Sequence, residues 1–170
     1  MPDRFRPGAP SPQGTVHATA VAIGARAVLL RGPSGTGKSR IAGDLIADAR
    51  ARGEFATLIG DDRVRLEAYG GRLVARAVPE LAGMIELRGV GIVATAHDDA
   101  AVVALVIDLV SEPPDRLPEE ADRFDTIEGI RLARLPLWRN DPSPIVRVRA
   151  ALAAALTVSR GNHERTHILT

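Results

Sequence analysis

The run Gly32-Pro33-Ser34-Gly35-Thr36-Gly37-Lys38-Ser39 satisfies G-x-x-x-x-G-K-[ST], and it constrains the fold of this chain more than any other stretch. The apolar residues 27–30 directly before it have the composition of a buried strand, and residues 41–47 after it place apolar side chains at helical spacing. The loop therefore joins a strand to a helix. Glycines at 32, 35 and 37 let the backbone turn with its N–H groups facing one point, where the helix adds its positive end. A polyphosphate fits that point. In such a loop Lys38 reaches the β- and γ-phosphates, and the Ser39 hydroxyl takes one position on Mg²⁺.

Lys38 is the only lysine of the chain; every other residue among the 22 Lys+Arg is arginine. A compact ammonium on a flexible stem is chemically distinct from a planar guanidinium, which gives a physical reason for the exception at this place. Length and composition bound the rest. With 170 residues and 45% hydrophobic content the chain has enough apolar surface for one α/β domain. A net charge of +1 shows no basic face for nucleic acid, and the absence of cysteine excludes disulfides and thiol catalysis and fits a cytoplasmic location. No apolar run approaches the ~18 residues a membrane helix needs, so no membrane partner is expected. Residues 1–13 read as a flexible arm, 14–161 as the catalytic domain and 162–170 as a flexible tail. In the tail, His163 and His167 stand four apart but past an expected helix stop.

Residues 15–23 have strand composition and turn at 24–26 into the strand that feeds the loop, which predicts a β-hairpin carrying His17. After the helix, residues 55–59 form another apolar strand, expected beside the loop-bearing one, and close on Gly60-Asp61-Asp62. Ligands of open α/β sheets bind outside the carboxyl ends of strands, so these acids are placed to face the loop; an exposed acidic turn is the plain alternative. Residues 64–67 and 72–75 read as a hairpin. Residues 84–93 follow as one alternating segment with Glu86 and Arg88 on one face, either site residues or a surface ion pair. Residues 102–108 form a continuous apolar strand ending in Asp108, which resembles a generic Walker B strand and makes that acid a rival Mg²⁺ ligand. A second hairpin spans 126–135, an irregular connection spans 136–140, and Ser143-Pro144 opens a helix over 145–158 that should stop at Gly161.

Taken together, His17, the loop at 32–39, Ile-Gly-Asp-Asp at 59–62, Pro79-Glu80-Leu81 and Glu86-Leu87-Arg88-Gly89-Val90-Gly91-Ile92 resemble the catalytic domain of HPr kinase/phosphorylase over roughly 15–110. The resemblance implies a P-loop kinase domain with a mixed sheet flanked by helices, like the nucleotide-binding core of phosphoenolpyruvate carboxykinase. It implies ATP and Mg²⁺ as cofactors, a serine of an HPr-type phosphocarrier protein as acceptor, phosphate-driven reversal giving pyrophosphate, and a homohexamer. By matching positions, Asp61 is the base, Asp62 and His17 its neighbours, Ser39 and Glu86 the Mg²⁺ ligands, Arg88 a phosphate-binding residue and Arg139 a residue of the basic C-terminal loop. By this resemblance the chain is expected to be a truncated form without the family's long N-terminal domain, and it departs from the family in carrying Arg40 where an acid is common and in reading Leu137-Trp138-Arg139-Asn140-Asp141-Pro142 at the basic loop. Two other functions compete: a nucleotide-sensing module that transfers nothing, and a small-molecule kinase using the same loop. Adjacent acids favour transfer, because a sensor has no need of a proton acceptor near the γ-phosphate.

Overall fold

A computed structural model describes residues 14–166 and side chains as far as Thr157. The arm expected at 1–13, His167 and the side chain of His163 lie outside the described residues. The run expected as one strand is broken at Ala18 into β1 (Thr15–His17) and β2 (Thr19–Ile23), and only β2 makes the hairpin with β3 (Arg26–Arg31). The phosphate loop follows β3 and leads into α1 (Lys38–Ala51). Next come β4 (Ala56–Gly60), β5 (Arg63–Tyr69) and β6 (Arg72–Arg76). The segment 84–93 is two short strands, β7 (Met84–Leu87) and β8 (Gly91–Ala94), because Gly89 and Gly91 take φ of 81° and 98° and turn the chain back. Arg88 is therefore a turn residue, not a strand neighbour of Glu86. The long β9 (Ala100–Val110), the hairpin of β10 (Phe124–Ile127) and β11 (Ile130–Trp138), and α2 (Pro144–Thr166) complete the fold. The stretch expected as irregular from 136 is thus strand as far as Trp138, and Pro136 is tolerated because β10 pairs only with residues 130–133 of β11 and leaves that side open. The helix α2 also runs past Gly161.

The main sheet has the order β1-β5-β6-β9-β3-β2-β4, with β11 also on β9 and β10 on β11. β9 is the shared strand. Its first residues pair antiparallel with β6 and its later ones parallel with β11. On its other side the register against β3 skips Ala104, since Ala27 faces Val103 but Val28 faces Leu105. This bulge reverses which side chains of β9 face which layer and bends the strand where it changes partner. β4 lies one strand away from β3, with β2 between them, which corrects the expected adjacency. Both are antiparallel to β2, so β3 and β4 run the same way, as do β9 and β11. The carboxyl ends of all four strands share one edge.

Two apolar layers hold the sheet. One face packs Val21, Val28, Leu30, Leu58, Leu105 and Ile107 against Ile41 and Leu45 of α1 and Val148 and Leu152 of α2. The other interleaves five alanines, Ala18, Ala20, Ala22, Ala27 and Ala75, with larger residues such as Leu29, Ile59, Val64 and Leu73. Small side chains let the β1-β5-β6 wing curl close over the centre. Among the described residues no helix is long and apolar enough to cross a membrane. Ala20 is fully buried in this close layer. Ala20→Leu should therefore cost about 1–3 kcal/mol by overpacking, whereas Val146→Ser, at a position 69% exposed, should change stability by less than ~0.5 kcal/mol. Urea unfolding midpoints of the two variants check the contrast.

Candidate active site

The edge defined by the ends of β3 and β4 and the start of β2 brings together three segments far apart in sequence. The loop leaves β3 with Gly35 and Gly37 at φ of 77° and 97°, conformations that only glycine adopts without strain. Gly32 is pressed against β9: a Cβ there would lie 3.1 Å from Leu109 Cβ and 3.2 Å from the Leu109 carbonyl oxygen. The loop path is thus set by backbone approach. Gly37 caps α1 without any side-chain hydrogen bond, so the first N–H groups of the helix have no capping side chain competing for them.

Asp61, at the end of β4, is only 6% exposed. Its Oδ1 accepts from Thr19 Oγ1 at 2.7 Å, the Ser39 hydroxyl is shared between Oδ1 and Oδ2 at 2.8 and 2.9 Å, and Oδ2 accepts the Glu86 N–H at 3.1 Å. One carboxylate thus ties β2, α1 and β7 to β4. Thr19 is a site residue that sequence reasoning passed over. Its position two residues after His17 in a strand-like run was the available signal, since period-2 spacing directs both toward one side.

Asp62 differs from its neighbour in every respect. It sits in the left-handed region, φ 66°, and its side chain is 65% exposed. His17 Nδ1 lies 3.0 Å from Asp62 Oδ1 and 3.1 Å from its carbonyl oxygen, while His17 Nε2 lies 3.0 Å from Lys38 Nζ. An ammonium has only hydrogens to give, so Nε2 accepts and the ring proton sits on Nδ1, facing Asp62. Lys38 also donates to the carbonyls of Gly32 at 2.8 Å and Pro33 at 3.1 Å. Burial holds its pKa below the ordinary lysine value, and the Asp61 and Asp62 charges oppose that shift. The ammonium is partly stripped of water and faces the loop, as a phosphate-binding cation should.

The remaining expected residues divide. Arg88, in the turn between β7 and β8, overlies the loop, for a Cβ built on Gly35 would come within 3.7 Å of Arg88 Nη2. Glu86 is placed by its backbone bond to Asp61, with its side chain exposed. Arg40 approaches Gly37 and pairs with Asp44 at 3.2 Å. Arg139 stands at the same edge after β11, its N–H donating to the Val110 carbonyl, and its guanidinium forms no hydrogen bond or ion pair among the described residues. Asp108 is not available to a metal: it is fully buried, with Arg31 Nε 2.7 Å from Oδ1 and Arg134 Nε 2.5 Å from Oδ2. Two guanidinium groups fill the place where a cation would sit. Among the described residues no cluster of three or more His, Asp and Glu side chains is arranged to hold a metal ion.

The family described as HPr Serine kinase C-terminal domain matches residues 9–135. A protein named HPr kinase/phosphorylase from Mycoplasma mycoides is 26% identical over 163 residues, 88% of this chain and 50% of that protein. Another of that name from Limosilactobacillus reuteri is 33% identical over 131 residues, 71% of this chain and 39% of that protein. The chain therefore spans half or less of the length of these curated relatives. The solved structure of the Hpr(Ser) kinase/phosphatase from Coxiella burnetii shares the fold, with a TM-score of 0.69 at 23% identity over 86% of this chain and 98% of that one.

The lowered pKa of Lys38 fixes the sign of its effect on stability. The folded state disfavours the charged ammonium, so the cost is present below the folded pKa and is relieved as pH rises through it toward the unfolded value. Lys38→Met, which keeps the apolar stem, should leave the thermal midpoint at pH 7 unchanged or higher while abolishing binding of a nucleoside triphosphate. Calorimetric scans paired with titration calorimetry test both halves.

Proposed function

The chain belongs to the HPr Serine kinase C-terminal domain family, and from that premise we propose that it is an ATP-dependent protein-serine kinase acting on an HPr-type phosphocarrier protein of the phosphotransferase system. The observation that carries the reading is the bridge from the loop to a proton acceptor, Lys38 to His17 to Asp62, beside the Ser39–Asp61 pair. A sensor that only binds nucleotide has no use for that bridge. The reading further takes the protein as cytoplasmic and homo-oligomeric, a hexamer by family resemblance, with neither nucleic acid nor membrane as partner.

The residues present fit a Mg²⁺ ion. The Ser39 hydroxyl donates its hydrogen bond to Asp61, which leaves its oxygen lone pairs for a cation, and Glu86 supplies an exposed carboxylate anchored through its own N–H. Mg²⁺ is normally held by one or two protein ligands, with phosphate oxygens and waters completing its shell, so a three-acid cluster is not required. The ion, when bound, neutralises polyphosphate charge. Lys38, the loop N–H groups and Arg88 bind and orient the phosphates, and Arg139 is proposed to meet the phosphate from the acceptor side.

For the base, the hydrogen bonding supports a different division from the one the family resemblance implies. Asp61 is 6% exposed and its oxygens already accept from Thr19, Ser39 and the Glu86 N–H, whereas a base has to be open to the incoming hydroxyl. The Asp62 side chain is 65% exposed, and His17 orients it. We assign Asp61 to holding Ser39 and the loop, and Asp62 to the proton. The acceptor serine oxygen bonds to the γ-phosphorus as its proton passes to Asp62, and the bond to the β–γ bridging oxygen breaks to release ADP. In the reverse direction an oxygen of inorganic phosphate bonds to the phosphoserine phosphorus as the bond from that phosphorus to the serine oxygen breaks, pyrophosphate leaves, and protonated Asp62 gives its proton to the serine oxygen.

A protein acceptor is favoured over a small molecule by the rim of the site. Val90 and Ile92 are each 72% exposed on the hairpin whose Arg88 overlies the loop. Exposed apolar groups beside a reacting centre suit a macromolecular surface. Purified protein with labelled ATP and HPr-type carriers should yield phosphoserine. Asp62→Asn should lower transfer by about 10²–10⁴-fold with ATP affinity nearly unchanged, whereas Asp61→Asn should weaken binding and transfer together. Normal transfer by Asp62→Asn would return the base to Asp61.

A further inference from the structure

A second set of buried charges lies at the same sheet edge, directly beneath the phosphate loop, and no step of the chemistry uses it. Arg31, the last residue of β3, clasps Asp108 of β9 with Nε on Oδ1 at 2.7 Å and Nη2 on Oδ2 at 2.9 Å. Arg31 and Asp108 are register partners across the two parallel strands. Arg134 of β11 donates to Asp108 Oδ2 and, through Nη1, to the Asp122 carbonyl at 3.2 Å, while Arg31 Nη2 also reaches Asp125 of β10 at 2.7 Å. The Arg31 and Asp108 side chains are 3% and 0% exposed. Burial by itself lowers the Arg31 pKa, and the Asp108 and Asp125 carboxylates outweigh it, so the guanidinium stays charged.

Such a network is a poor way to gain stability. Desolvating ions is costly, well-packed apolar side chains often do as well, and here Arg31 Nη1 is buried with no hydrogen-bond partner among the described residues. What a buried ion pair supplies better than an apolar contact is register, because a fork meets a carboxylate in one alignment only. Register is at stake in this strand pair. The bulge at Ala104 means that β3 and β9 run with one residue out of step, and the aliphatic side chains between the bulge and the edge are similar in size. The clasp sits at the final residue before the loop. The residue directly after β3 is Gly32, the residue after Asp108 on β9 is Leu109, and these two are in the close approach that sets the loop's exit, with Lys38 held on the Gly32 carbonyl.

We propose that the Arg31–Asp108–Arg134 network is a register lock that positions the phosphate loop, with Asp108 and Arg31 as positioning residues for nucleotide binding. The inference rests on reading 32–39 as a nucleotide-binding loop and adds to it a determinant outside the motif. Removing the lock leaves every loop residue present but lets its entry point move, and displacements of about 1 Å are enough to cost ~10²-fold where geometry matters.

The test is the triple variant Arg31→Met/Asp108→Leu/Arg134→Met, which exchanges the charges for apolar side chains, with Arg31→Lys as a milder companion that keeps charge but loses the fork. MgATP and metal-free ATP affinities are measured by titration calorimetry alongside urea unfolding. The triple variant should unfold at a midpoint near that of the parent yet bind both forms of ATP at least ~10-fold more weakly, with Arg31→Lys showing the same loss to a smaller degree. A folded triple variant that binds MgATP like the parent overturns the proposal. So does a loss confined to MgATP, which would make Asp108 a metal ligand. If the triple variant does not fold, parental affinity in Arg31→Lys overturns the proposal and weakened affinity sustains it. Failure of the parent itself to bind ATP removes the nucleotide reading, and this one with it.

Discussion

The Asp61 carboxylate is the interaction on which the rest of the site depends. Four elements that share no sequence neighbourhood meet on its two oxygens: Thr19 from β2, Ser39 from α1 and the Glu86 backbone from β7, with Asp61 itself ending β4. An ionised acid buried this deeply needs such donors, since each one withheld would leave charge uncompensated in a low-dielectric setting. The donors in turn gain fixed positions. The hairpin of β7 and β8 makes its own small two-stranded sheet, and the Glu86 bond to Asp61 ties that hairpin to the loop it overhangs. The acid expected to do chemistry is also the one on which these elements meet.

The strand directions explain why this assembly is at one edge. β2 is antiparallel to both β3 and β4, so the start of β2 lies beside the ends of the other two, and His17 and Thr19 fall next to the loop and the acid pair. The break at Ala18 adds to this. It lets residues 15–17 leave for β5 while residue 19 stays with β3, so that one short run serves both wings of the curled sheet. Adjacency of β3 and β4, which a simpler α/β order would give, is not needed. An intervening antiparallel strand delivers its own side chains to the same place.

Much of this was legible in the residues. The strand, loop and helix around Lys38 follow from local pattern and glycine placement, and the acids at 61 and 62 follow from the rule that sites form at strand ends. The reversal within residues 84–93 is not marked by the alternation of Ile85, Glu86, Leu87 and Arg88, because a period-2 pattern carries no sign of a turn when glycines stand inside it. Pro136 and the strand to Trp138 were misread for the opposite reason. Proline signals a break unless the strand's far side lacks a partner, and that is a fact of topology. Thr19 and Arg31 were missed because each matters through a partner more than forty residues away, Thr19 with Asp61 and Arg31 with Asp108.

Asp61 and Asp108 show how little position alone says about an acid. Asp61 directly follows β4 and Asp108 lies two residues before the end of β9, at the same edge of one sheet and beside the phosphate loop, and both are buried. They differ in what compensates them. Asp61 is met by hydroxyls and an N–H, neutral donors that leave its negative charge in place to act on Lys38, and its charge opposes the burial shift of that lysine. Asp108 is met by two guanidinium groups, and a second carboxylate, Asp125, pairs with Arg31, so these two cations and two anions balance and present no net charge to a ligand. In a chain whose basic residues are nearly all arginine, an acid at a strand end has a rigid, bidentate cation available to claim it. In the proposed function the single lysine stands where the cation has to exchange partners, from the loop carbonyls and an imidazole that hold it here to a phosphate. A guanidinium at that place would be held by its own geometry, while an ammonium can be given up by one set of acceptors and taken by another.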